Sequence, residues 1–207
     1  MTADDTEVIW EEATARLATD PTFGPVVREV GSVRVPVDRS TRFAALARSI
    51  VYQQLAGAAA RTIHGRMVEA VGGFVTPDSI RGTSEEALRG AGLSAAKHAA
   101  LVDLATRVGE EDVVLDDLDD LDDAAVTARL TRVRGVGPWT ADMFLMFTLR
   151  RPDVWPIGDL GVRQGMGRLL GWDEAPTTKQ LDLIGVGYRP WRSAAAWYCW
   201  RALELDG

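Results

Sequence analysis

The sequence predicts an all-α protein. Apolar residues recur at helical spacing through most of the chain. The breaks between these stretches carry Ser, Thr or Asp caps and glycine stops. Strand-like alternation is scarce, and its best example, Ser32–Asp38, contains Pro36, which cannot donate to a sheet ladder. In order, Arg42–Leu55 places Phe43, Leu46, Ile50, Val51 and Leu55 near a helical period behind a cap at Ser40 or Thr41. Gly57 interrupts, and residues 58–71 form a second helix that ends at Gly72-Gly73. Thr76 and Thr83 open two short helices, the second with the acid placement of a capping box. Ser94–Val108 is amphipathic, with Ser94 as its cap. Asp122 or Asp123 starts a helix that ends near Val133. Pro138–Leu149, Asp159–Leu170, Thr177–Ile184 and Pro190–Leu205 complete a set of roughly ten short helices.

Ala141–Phe147 is apolar on nearly every side, the pattern of a helix that runs through a core. Such a helix is expected to divide the protein into two helical lobes flanking a cleft, a natural ligand site. Residues 1–39 are expected to be an N-terminal segment of the helical fold, and residues 40–207 a single core module. One cysteine rules out a disulfide framework and a four-cysteine zinc or iron–sulfur site. No stretch approaches the ~20 apolar residues of a membrane span, and the acidic Met1–Glu12 lacks a signal-peptide layout. The expectation is a monomeric cytoplasmic protein with no membrane partner.

The formal charge of -7 at first argues against nucleic acid. Residues 108–128, however, hold nine acids and no Lys or Arg, and removing them leaves the rest of the chain at +2. That run is expected to be a solvated loop and helix start, so net charge does not decide the partner.

Leu130–Asp142 reads LTRVRGVGPWTAD. One helix ends near Val133-Arg134. Gly135 and Gly137 permit backbone conformations that a side chain resists, and Pro138 suits the first turn of the next helix. This is a helix–hairpin–helix pattern, L-x-x-V-x-G-V-G. Bare backbone N–H groups around Gly135, Val136 and Gly137, at the positive end of a helix, attract a phosphate. Contacts of that kind position a duplex without reading its sequence.

With this hairpin, and with Asp159 lying 22 residues beyond Gly137 in the segment Pro156–Asp159 (PIGD), the chain resembles the helix–hairpin–helix/Gly-Pro-Asp superfamily of DNA glycosylases. Arg48–Ala60, Gly92–Ala105 and Arg189–Trp200 resemble its alkylpurine (3-methyladenine type II) branch, and the resemblance covers about residues 40–205. It implies a catalytic carboxylate at Asp159, which is also well placed as a helix N-cap. It implies base-pocket residues at Trp139, Trp200, Tyr52 and Met143, the last standing where some relatives have tyrosine. Gln53 or Gln54 would fill the gap left by a flipped nucleotide, with Gln54 preferred. Lys97 and Arg163 would join the hairpin on backbone phosphates, and Arg192 would form an ion pair. Main-chain carbonyls of Thr131, Val133 and Val136 match positions that hold a monovalent cation, Na+ or K+, in family hairpins.

Departures from the family pattern narrow the chemistry. Trp139 stands where bifunctional members carry a lysine nucleophile, so no lyase activity is expected. A single cysteine excludes the iron–sulfur loop of other branches, and the residues ahead of the core are too few for an N-terminal β-domain. The resemblance therefore implies a compact, monofunctional, bacterial-type and nucleoid-associated enzyme that excises alkylated purines from double-stranded DNA. A non-catalytic DNA-binding module and a glycosylase for deaminated or mismatched bases are the rival readings.

Overall fold

The computed structural model describes residues 3–55 and 57–205. Among them are twelve α-helices, two 3-10 turns and no strand. Among the described residues no helix is long and apolar enough to cross a membrane. The chain divides into two compact units, with the boundary between Phe144 and Leu145 inside one helix.

The first unit joins residues 1–37 to 145–207, so the N-terminal segment packs with the C-terminal third of the chain. It holds α1 (Ala3–Ala18), α2 (Gly24–Val30), α10 (Leu160–Leu169), α11 (Thr178–Gly185), a 3-10 turn at Val186–Tyr188 and α12 (Arg192–Glu204). Helices α1 and α2 lie in the segment for which the sequence reading sets no boundaries. Trp10, Ala13 and Leu17 form a buried stripe on α1. The extended Ser32–Asp38 stretch is not a strand. Thr14 Oγ1 accepts from the Val33 N–H at 3.2 Å, and Tyr198 Oη donates to Gly31 O at 2.8 Å. Helices α10 and α12 cross closely at Gly165, where an added Cβ would lie 2.0 Å from the Cys199 carbonyl oxygen. Arg192 makes the expected ion pair, with Nε 2.7 Å from Asp153 Oδ1 and Nη2 2.9 Å from Oδ2.

The second unit, Asp38–Phe144, holds α3 (Arg42–Tyr52), α4 (Gly57–Ala70), α5 (Pro77–Gly82), α6 (Glu85–Gly90), α7 (Ala95–Gly109), a 3-10 turn at Leu118–Asp120, α8 (Asp123–Leu130) and most of α9 (Pro138–Phe147). Side-chain oxygens of Thr41, Ser94 and Asp122 cap α3, α7 and α8. The capping box lies at Thr76–Ser79 on α5, and α6 is capped by Ser84 rather than Thr83. Both are corrections to the sequence reading. Phase decides the second, because Ser84 stands three residues before Ala87, whose N–H it accepts.

The acidic run is the loop and helix start expected, but it is not solvated throughout. Val113, Leu115 and Leu118 are buried under it. Arginines from three helices and from the turn after α8 hold its acids: Arg42 pairs with Asp119, Arg129 with Asp117, and Arg107 and the turn residue Arg132 with Asp112. Arg42 Nη1 also donates to the carbonyls of Leu115 and Asp116, at 2.6 Å each. The charges of Asp112, Asp117 and Asp119 are thereby compensated within the unit itself.

Candidate active site and nucleic-acid interface

In the first unit the site is built on the start of α10. Asp159 precedes the helix with extended backbone, and its Oδ1 accepts from the Val162 N–H at 2.7 Å. This cap satisfies one of the orphan donors of the first turn. The same oxygen accepts from Trp200 Nε1 at 2.9 Å. Asp159 is 8% exposed, so both bonds act in a largely dry setting. The half-buried Trp200 ring stacks on Phe147, with centroids 5.8 Å apart and planes inclined by 29°. Gly161 makes room for this. A Cβ there would stand 2.8 Å from Trp200 Cδ1 and 3.2 Å from Asp159 Oδ1. A carboxylate fixed from two sides beside an aromatic face is suited to stabilising a cation and aligning a water.

Cys199 lies close by but is no nucleophile. Burial, and then the charge of Asp159, push its thiol far above the ordinary range and keep it protonated. Arg163, expected at a phosphate, donates through Nε to Pro176 O at 2.7 Å and ties α10 to the loop ahead of α11.

In the second unit the hairpin links α8 to α9. Val133 and Val136 are buried, and the Val136 N–H donates to Val133 O at 3.1 Å, closing the turn. Gly135 has φ +76°, a left-handed conformation that explains its identity. Gly137 has no such reason. Its φ lies outside that region, and a Cβ added there would meet nothing within 4 Å. The fold tolerates a side chain at 137. Trp139 follows on the first turn of α9 and is 41% exposed. Met143 is half-buried on the same helix, and Tyr52 meets His64 edge-on, with centroids 6.0 Å apart.

The residues expected to fill the stack divide in role. Gln53 is turned inward: Nε2 donates to Gly135 O and to Thr140 Oγ1, both at 3.0 Å. Its amide is therefore spent on the hairpin, which corrects the expectation of a wedge at Gln53. Gln54 is exposed with φ +55°. Lys97, expected at a phosphate, sits at a helix end. Its Nζ donates to Val51 O in the last turn of α3, at 2.6 Å, and to Gln53 O just beyond that helix, at 2.8 Å. Burial holds this ammonium below the usual lysine range.

Four contributors went unseen in the sequence: Phe147, Gly161, Thr140 and Asp103. Asp103 Oδ2 accepts the Arg134 N–H at 2.8 Å. Only Gly161 left a signal, since a glycine inside a helix costs about 1 kcal/mol and asks for a packing reason.

Residues 47–186 match the HhH-GPD superfamily of base excision DNA repair proteins. DNA-3-methyladenine glycosylase 1 of Schizosaccharomyces pombe is 31% identical over 191 residues, which are 90% of this chain and 84% of that one. The solved 3-methyladenine DNA glycosylase Mag1 of Schizosaccharomyces pombe, in complex with abasic DNA, superposes with a TM-score of 0.86 at 30% identity, covering 94% of this chain and 97% of that one. A DNA-3-methyladenine glycosidase structure from Bacillus halodurans gives 0.81 at 34% identity over 92% and 88% of the two chains. This chain belongs to the HhH-GPD superfamily of base excision DNA repair proteins.

Proposed function

We infer that this protein is a monofunctional DNA glycosylase that flips alkylated purines of the 3-methyladenine and 7-methylguanine type out of duplex DNA and removes them with water. The observation that carries the reading is the buried Asp159 carboxylate, fixed by Val162 N–H and Trp200 Nε1 beside the Trp200–Phe147 stack. A base inside a duplex is out of reach, so it is extruded first. Alkylation at N3 or N7 makes a purine cationic. When the C1′–N bond breaks, its electron pair neutralises the departing base, and little general-acid help is needed. Asp159 stabilises the sugar cation, and a water adds to C1′ and gives up its proton towards the carboxylate. An electron-poor purine suits aromatic faces. Trp200 supplies one of these, and Trp139, Tyr52 and Met143 are proposed as further contacts to the base.

The hairpin at Gly135–Gly137 is proposed to take a backbone phosphate of double-stranded DNA, with the protein acting as a monomer. Thr131, Val133 and Val136 would offer main-chain oxygens to Na+ or K+. Hard oxygen donors fit such a cation, and the Val133 carbonyl keeps a lone pair beyond its bond to Val136 N–H. The test is a set of duplex oligonucleotides, each bearing one lesion. Release of alkylated purines is expected. Release confined to deaminated or mismatched bases, or binding without release, defeats the reading.

A further inference from the structure

We propose that one face of α7 is a rail that holds the Gln54 loop and the hairpin in fixed register, with Lys97 a positioning residue on it. Lys97, Ala100 and Asp103 stand at i, i+3 and i+6 of α7, on one side of the helix. Lys97 grips the carbonyls of Val51 and Gln53 at the end of α3, at 2.6 and 2.8 Å. Ala100 Cβ lies 3.4 Å from where a Cβ of Gly135 would stand. Asp103 accepts the Arg134 N–H at 2.8 Å, one residue earlier in the hairpin. Gln53 closes the frame from the other side through Gly135 O and Thr140 Oγ1. One helix therefore fixes the main chain of two loops that are far apart in sequence.

The frame explains Gln54. A left-handed φ of +55° is unfavourable for a residue with a Cβ and persists only where its surroundings over-determine it. The residue before Gln54 is held at both its carbonyl and its side chain, and these bonds fix the backbone that carries it. Seating the hairpin on a phosphate then sets where the Gln54 side chain points. Lys97 acts through the main chain in this arrangement, with two of its three ammonium donors on carbonyl oxygens.

The role of Gln54 as wedge rests on the glycosylase reading, so three measurements separate the two ideas. In the first, duplex binding is followed against salt for wild type and Lys97→Met. An unchanged log–log slope is expected, and a slope shallower by ~0.9 would mark a lost phosphate contact and overturn the proposal. In the second, single-turnover excision is measured for Lys97→Met, Gln54→Ala and the double variant. Lys97→Met is expected to lose on the order of tenfold to a hundredfold, with almost no further loss once Gln54 is Ala. Fully additive losses overturn the proposal. Gln53→Met, which removes both side-chain hydrogen bonds, takes the place of Lys97→Met in the excision and exchange measurements if that variant does not fold. In the third, amide exchange of the free protein is compared. Faster exchange at both residues 52–55 and residues 133–137 is expected, and a change confined to 52–55 overturns the rail. If wild type excises nothing, the glycosylase reading fails, and the amide-exchange result alone decides the rail.

Discussion

Trp200 Nε1 donates to Asp159 Oδ1 at 2.9 Å, and that oxygen also accepts from the Val162 N–H at 2.7 Å. One carboxylate oxygen thus joins an aromatic face to a helix N-terminus. The indole is both a stacking partner for Phe147 and a clamp on the carboxylate. Trp200→Phe keeps most of the aromatic surface and removes the donor. A hydrogen bond to a charged group is worth about 1.5–3 kcal/mol, so single-turnover excision should fall roughly tenfold to a hundredfold with cooperative melting retained. An unchanged rate would mean that the carboxylate does not need the indole.

Asp159→Asn separates cap from charge. Asn caps a helix about as well as Asp, so thermal melting should shift little. Abasic-site formation on methylated DNA should drop by at least about a hundredfold, while duplex binding persists. Wild-type turnover in this variant would remove Asp159 from the mechanism.

Gly161→Ala tests the space beneath the indole. Ala is favoured over Gly inside a helix by about 1 kcal/mol, so propensity alone predicts a gain in stability. The new Cβ, however, would press on Trp200 Cδ1 from 2.8 Å. Excision should suffer far more than melting temperature, and equal losses in both would point to a general packing defect.

The two hairpin glycines should respond differently to alanine. Gly135→Ala forces a side chain into φ +76°, at a cost of about 1–2 kcal/mol, and should lower the melting temperature. Gly137→Ala meets no neighbour within 4 Å and should melt within about 0.5 kcal/mol of wild type, yet bind duplex DNA more weakly. Full DNA affinity in Gly137→Ala would argue that no phosphate approaches there.

Acid should loosen the hairpin through Asp103. Burial pushes its carboxyl up, but bonds from the Arg134 N–H and Arg107 outweigh this and hold it below the ordinary 3.8. A depressed carboxylate contributes stability in full above its unfolded value, and that contribution is lost as pH falls through the folded one. The gap in melting temperature between wild type and Asp103→Asn should therefore be constant above the ordinary carboxylate range and shrink below it. A gap independent of pH would show that the charge of Asp103 plays no part.

Sequence alone determined the helices after residue 40, most of their caps, the hairpin and the place of Asp159 at a helix start. These depend on bonds that span about three residues, so spacing and residue type suffice. Thr41, Ser94, Asp122 and Asp159 each reach a backbone N–H of their own first turn. Tertiary structure alone decided that Trp200 clamps Asp159 from 41 residues away, and that Gln53 holds Gly135 across 82. It also decided that Lys97 caps α3. In sequence, a lysine that would meet a phosphate looks the same as one that grips carbonyls of its own chain. The choice depends on which helix end its four-carbon stem can reach once the helices have packed, and packing is settled by buried surface rather than by residue spacing.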